Sequence, residues 1–129
     1  MMNAKLITDS FKKIIENDEK FYTYFYDHLF KIAPEVEYLF KNVDRKTQGK
    51  KLYQSLVMLV ENIENEKAIV ELLKPLGDRH KGYGTQLQHY PVVGQCLIDS
   101  LKYVIAEDWN DDIEKAWTET YESVVMNMI

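Results

Sequence analysis

Apolar residues recur along this chain at intervals of three and four, the spacing that gathers them on one side of an α-helix. Between about Ala4 and Ile15, Leu6, Ile7, Phe11, Ile14 and Ile15 share a face, with lysine and aspartate elsewhere. Asn17-Asp18 offers a break and an N-cap before a second helix, about Glu19 to Ile32. That helix is rich in aromatics. Phe21, Phe25 and Leu29 make one stripe and Tyr22, Tyr26 and Phe30 another, so two of its faces can be buried. β-propensity favours a strand here, but a strand would alternate these aromatics badly with Asp27 and His28. Pro34 suits the first turn of a short helix ending near Phe40, because its missing N–H is not needed there.

Asn42 to Lys46 reads as a loop. The next helix, about Thr47 to Ile63, carries Leu52, Leu56, Leu59 and Ile63. Another, about Glu66 to His80, carries Val70, Leu73 and Leu76, and Pro75 inside it should kink or loosen it. Gly82 and Gly84 mark a loop. Pro91 opens a long helix with Val93, Leu97, Leu101 and Val104 inward. A last helix, about Asp111 to Met128, places Ile113, Trp117, Tyr121, Val124 and Met128 on one face. The expectation is an all-α fold of six or seven helices around one core, a single domain over 1–129.

Composition supports this and narrows the function. The 129 residues are 46% hydrophobic and 29% charged, with only 5 Gly and 3 Pro, sparse punctuation for an all-β chain. A formal net charge of -5 argues against nucleic acid as a main partner. The one basic cluster, Arg45-Lys46 with Lys50-Lys51, reads as a solvated helix start. Cys96, the only cysteine, has no internal disulfide partner and reads as a small buried hydrophobe in a reducing compartment. The N-terminus lacks the apolar core of a signal peptide, and no apolar run approaches the roughly 18 residues of a membrane span. A cytoplasmic protein without membrane contact is expected.

Three histidines are candidates for chemistry. His28, beside Asp27, reads as a surface residue, and His89, before Pro91, as a loop or cap residue. His80 ends a helix whose inward face includes Leu73 and Leu76. On spacing alone a structural role for it outweighs a ligand role. Tyr26 reads likewise as one more core aromatic and Gln48 as a solvated side chain near a helix start.

The stretch Leu76-Gly77-Asp78-Arg79-His80-Lys81-Gly82-Tyr83-Gly84, then His89-Tyr90-Pro91-Val92-Val93-Gly94, resembles the proximal region of globins. It is most similar to bacterial single-domain haemoglobins and the globin part of flavohaemoglobins. Phe25 to Phe30, Pro34-Glu35 and Leu39-Phe40 resemble the second and third globin helices. Glu61 to Asn65 resembles the end of the distal helix, and Ala116-Trp117 with Tyr121 the last one. Each motif is weak, but their ordered co-occurrence over nearly the whole chain is specific.

The resemblance implies haem as the cofactor, iron protoporphyrin IX (heme b), with His80 as the proximal iron ligand. It implies haem contacts from Phe40, Leu52, Leu56, Leu76, Arg79, Tyr83, Tyr90 and Val93, with Tyr90 near the axial histidine. Tyr26 matches the distal tyrosine, Gln48 the distal glutamine, and Leu52 closes the pocket. A phenol and an amide suit a pocket that retains dioxygen, whose outer atom becomes partly negative on binding. The implied function is reversible binding of dioxygen, with carbon monoxide and nitric oxide as further ligands, in a store, scavenger or carrier. Other readings are a nitric oxide dioxygenase, a gas sensor with a partner protein, and a haem-free interaction module, against which His80 and Phe40 speak. The chain stops at Ile129, short of a glutamate that flavohaemoglobins carry late in the last helix, and no flavin domain follows. Sustained turnover is therefore expected to need an external reductase.

Overall fold

Side-chain caps set the starts of most helices in the computed structural model, which describes residues 3–82 and 84–129. Asn3, Asp44, Asn65 and Asn110 each accept the backbone amide three residues ahead, satisfying one of the orphan donors of a first turn. The helices are α1 (Ala4–Glu16), α2 (Asp18–Ile32), α3 (Arg45–Glu61), α4 (Glu66–Gly82), α5 (His89–Ile105) and α6 (Asp111–Met128). Short 310 segments, Pro34–Phe40 and Ala106–Asp108, connect α2 to α3 and α5 to α6. No strand occurs among the described residues.

Several details differ from the sequence expectation, among them α4 running on to Gly82, which the sequence placed in a loop. α3 starts at Arg45 rather than Thr47, because Asp44 is the cap that takes the Thr47 amide. α5 starts at His89, so that Pro91 lies within its first turn, where no helical N–H is required. α4 runs unbroken through Pro75. The proline deprives the Glu71 carbonyl of its helical donor, but both residues are exposed and water can serve it.

Both aromatic stripes of α2 are buried, as the pattern predicts: Phe21, Phe25 and Leu29 on one side, Tyr22, Tyr26 and Phe30 on the other. α2 is therefore covered by two helices, α5 and α3. It packs tightly against α3 at Gly49, where an added Cβ would collide with the Tyr22 ring. Phe11 of α1 sits between Tyr53, at a centroid distance of 6.3 Å, and Trp117 of α6, at 6.0 Å. The buried Trp117 indole N–H donates to Ser10 Oγ at 2.9 Å, and that hydroxyl donates to the Leu6 carbonyl at 2.6 Å.

α4 leans on α6 and makes no extended contact with α2 or α3 among the described residues. Its inward row is Ile69, Leu73 and Gly77, not the expected Val70, which is exposed. The helix is rotated so that a fully buried row meets α6. An adjacent row, Leu72, Leu76 and His80, is left half-buried. Ile15 of α1 is likewise exposed, outside the buried set of Ile7, Ser10, Phe11 and Ile14.

The α4–α6 contact yields a prediction. A Cβ at Gly77 would collide with the backbone of Met128, which has no rotamer to yield, whereas one at Gly82 meets nothing within 4 Å. Alanine gains about 1 kcal/mol of helix propensity over glycine, but overpacking a close contact costs about 1–3 kcal/mol. Gly77→Ala should lower the urea midpoint, and Gly82→Ala should leave it equal or higher.

Candidate functional site

His80 lies in the last turn of α4, one turn beyond Leu76 and on the same line of the helix. Its Nδ1–H donates to the Leu76 carbonyl at 2.7 Å. A carbonyl only accepts, so Nδ1 carries the proton, and in the neutral ring the lone pair is on Nε2. The chain after α4 folds back at once: the Thr85 amide donates to the His80 carbonyl at 3.0 Å and the Gly84 amide to the Lys81 carbonyl at 3.1 Å. Gly84 adopts φ +89, a left-handed conformation that favours glycine. Its missing Cβ would stand 3.6 Å from the Leu39 side chain, so this loop abuts the 310 segment. Arg79 is exposed. Tyr83 lies outside the described residues.

A second group is built from α2, the 310 segment and α3. The Tyr26 ring meets Phe40 edge-on at 5.5 Å and Phe30 at 6.1 Å, while Phe30 and Phe40 are 5.4 Å apart. Burial pushes the Tyr26 phenol well above the usual phenol range, and the nearby Gln48 side chain opposes the shift. Tyr26 and Gln48 are thus near each other on different helices, and the phenol stays protonated, able to donate a hydrogen bond. Phe40 and Leu52 are half-buried, whereas Leu56 belongs to the buried core. The structure thus brings Tyr26, Gln48 and Phe40 together, and the Gly84–Leu39 contact puts the end of α4 beside the segment that carries Phe40.

Tyr90 and Val93 stand on the first turns of α5, Tyr90 buried and Val93 half-buried. The Tyr121 hydroxyl donates to the Tyr90 carbonyl at 2.6 Å, and Gly94 leaves room for the Tyr121 ring. Tyr121 thereby pins the start of α5 to α6, a role the sequence did not disclose. His89 accepts the Gln86 amide at Nδ1, 3.0 Å away, and so closes its loop as expected.

His28 departs from its sequence reading. It is half-buried rather than a plain surface residue, with Nε2 at 2.9 Å from Asp99 Oδ2 of α5 and its ring stacked on Tyr24. The partner lies 71 positions away, beyond any local sequence signal. Arg45 was also missed as anything but a solvated helix start. It reaches Asp27 and Glu37, and it lines two surface notches, of about 390 and 210 Å³, that end on Phe30 and Phe40 and on Tyr26 respectively.

The globin family model matches residues 23–128. The chain is 32% identical over 99 residues to the flavohaemoprotein of Bacillus subtilis, covering 75% of this chain and 25% of that protein. It is 29% identical over 126 residues to the flavohaemoprotein of Bacillus cereus, covering 94% of this chain and 31% of the relative. The chain thus spans under a third of the length of these relatives. A bacterial globin from Campylobacter jejuni superposes with a TM-score of 0.81 at 27% identity, over 95% of this chain and 88% of that one.

Cys96 gives a check on the α2–α5 contact beside this site. Its thiol is buried and donates to the Phe25 carbonyl at 3.1 Å, and burial pushes its pKa up to about 12. The thiolate is the reactive form, so the native protein should resist iodoacetamide under mildly alkaline conditions and react only once unfolded. Stoichiometric alkylation of the native chain, read by mass spectrometry, would contradict this packing.

Proposed function

The chain belongs to the globin family, and from that premise we propose that it binds haem through His80 and holds dioxygen, or another diatomic gas, beneath Tyr26 and Gln48. The observation that carries this reading is the 2.7 Å bond from His80 Nδ1–H to the Leu76 carbonyl. A metal-binding imidazole needs one nitrogen protonated and anchored so that the other presents its lone pair in a fixed direction.

The surroundings fit a flat, largely apolar ring. α4 rests on α6 and makes no extended contact with α2 or α3 among the described residues, and Leu52, Phe40, Leu76 and Val93 are all half-buried. Apolar groups left partly uncovered in this way gain from a ring that shields them. The single cysteine is buried against Phe25 rather than beside His80, so the ring is held without thioether links, as in heme b. Once bound, haem supplies an iron centre that takes diatomic ligands.

The chain's own residues supply selectivity. The protonated Tyr26 phenol and the Gln48 amide donate to a polar ligand, and Phe40 and Leu52 keep water out. Tyr90 and Val93 line the proximal side, Tyr90 held in place through its carbonyl by Tyr121. Arg79, exposed at the end of α4, suits the acidic edge of the ring. The physiological role is an oxygen store, scavenger or carrier.

A second reading, dioxygenation of nitric oxide, is favoured by the similarity to flavohaemoproteins, proteins that join haem to flavin. It requires electrons from a flavin reductase, and turnover with such a donor distinguishes it from simple gas binding.

Two substitutions test the site. His80→Ala should abolish tight haem uptake or leave it dependent on added imidazole; an unchanged absorption spectrum sinks the assignment. A strongly polarised hydrogen bond from Tyr26 is worth about 1.5–3 kcal/mol, which makes dissociation roughly tenfold to a hundredfold faster when it is lost. Tyr26→Phe should show that acceleration for dioxygen and a smaller one for carbon monoxide. If the dioxygen off-rate is unchanged, Tyr26 only packs.

A further inference from the structure

Arg45 opens α3 but spends its side chain on other elements. One guanidinium nitrogen lies 3.4 Å from Glu37 Oε1 of the 310 segment, and another 3.8 Å from Asp27 Oδ1 of α2. The guanidinium also sits 4.6 Å from the Phe30 ring centroid. A side chain that merely solvated a helix start would reach into water and make none of these contacts.

The position of these contacts is informative. Arg45 lines both surface notches: the 390 Å³ one, walled by Phe30 and Phe40, and the 210 Å³ one, which reaches Tyr22 and Tyr26. Phe40 meets Tyr26 at 5.5 Å and Phe30 at 5.4 Å, so the notches approach one aromatic cluster from two sides of a single arginine.

We propose that Arg45 is a clasp that controls access to the Tyr26–Phe40 cluster, and that small uncharged ligands enter when it swings out. This rests on the gas-binding reading of that cluster. The clasp is built to open. Arg45, Asp27 and Glu37 are 55%, 67% and 57% exposed at their side chains, so both ion pairs are weak and screened by salt. The cation–π contact with Phe30 gives the closed position its direction. Lysine would keep the charge but lose the planar fork that reaches both carboxylates.

The test is the association rate of carbon monoxide after flash photolysis of the haem-loaded protein, at low and high salt. Carbon monoxide is uncharged, so any salt effect reports on the clasp and not on ligand steering. Wild type should associate faster as salt rises. Arg45→Ala should be roughly fivefold to tenfold faster at low salt and insensitive to salt, with Arg45→Lys between the two. Equal rates for Arg45→Ala and wild type at both salts overturn the proposal.

Failure of haem uptake by wild type would overturn the gas-binding reading instead, and the clasp is then read by hydrogen exchange on the unloaded chain. The amides that follow Pro34 in the 310 segment, through Phe40, should exchange faster in Arg45→Ala, and faster in wild type at high salt. Unchanged protection there overturns the clasp.

Discussion

Helix α2 has two buried faces, and the protein is arranged around satisfying both. Phe21, Phe25 and Leu29 need one cover and Tyr22, Tyr26 and Phe30 another, so a helix must cross on each side. α5 takes one face, with Cys96 donating to the Phe25 carbonyl and His28 bonded to Asp99. α3 takes the other, and comes close because position 49 is a glycine under the Tyr22 ring. Aromatic side chains contribute large apolar areas, so this three-helix stack is a rigid reference for everything attached to it.

The candidate site is divided between two supports as a result. Tyr26, Gln48 and Phe40 are mounted on α2, α3 and the 310 segment between them. His80 is mounted on α4, which depends on α6 through the Ile69, Leu73 and Gly77 row. Burying that row against α6 turns the row of Leu72, Leu76 and His80 aside from it, half-covered. In the proposed reading, donors on one support and a fixed imidazole on the other would give the two sides of a haem site different jobs, gas retention and metal attachment.

Much of this was legible in the chain. The 3.6-residue period marks every α-helix, and the double stripe of α2 is visible because aromatics occupy two adjacent rows. The final turns were harder to read. Val70 and Ile69 are adjacent and both apolar, so periodicity alone does not say which one meets α6. His80 is a lone histidine at a helix end by spacing; only the resemblance to globins raised it above a structural role, and only coordinates show its bond to Leu76. His28–Asp99, Tyr121–Tyr90 and the reach of Arg45 to Asp27 and Glu37 join residues on different elements. Such pairings are set by how the helices cross.

The central claim is that this globin carries haem on His80 with an open position on the other side. The most direct measurement is an absorption titration of the purified chain with haem, followed by spectra of the reduced form without and with carbon monoxide. The account predicts an endpoint of one haem per chain, a five-coordinate ferrous spectrum, and full conversion by carbon monoxide. Absence of a saturable endpoint, or a six-coordinate low-spin ferrous form, would contradict it.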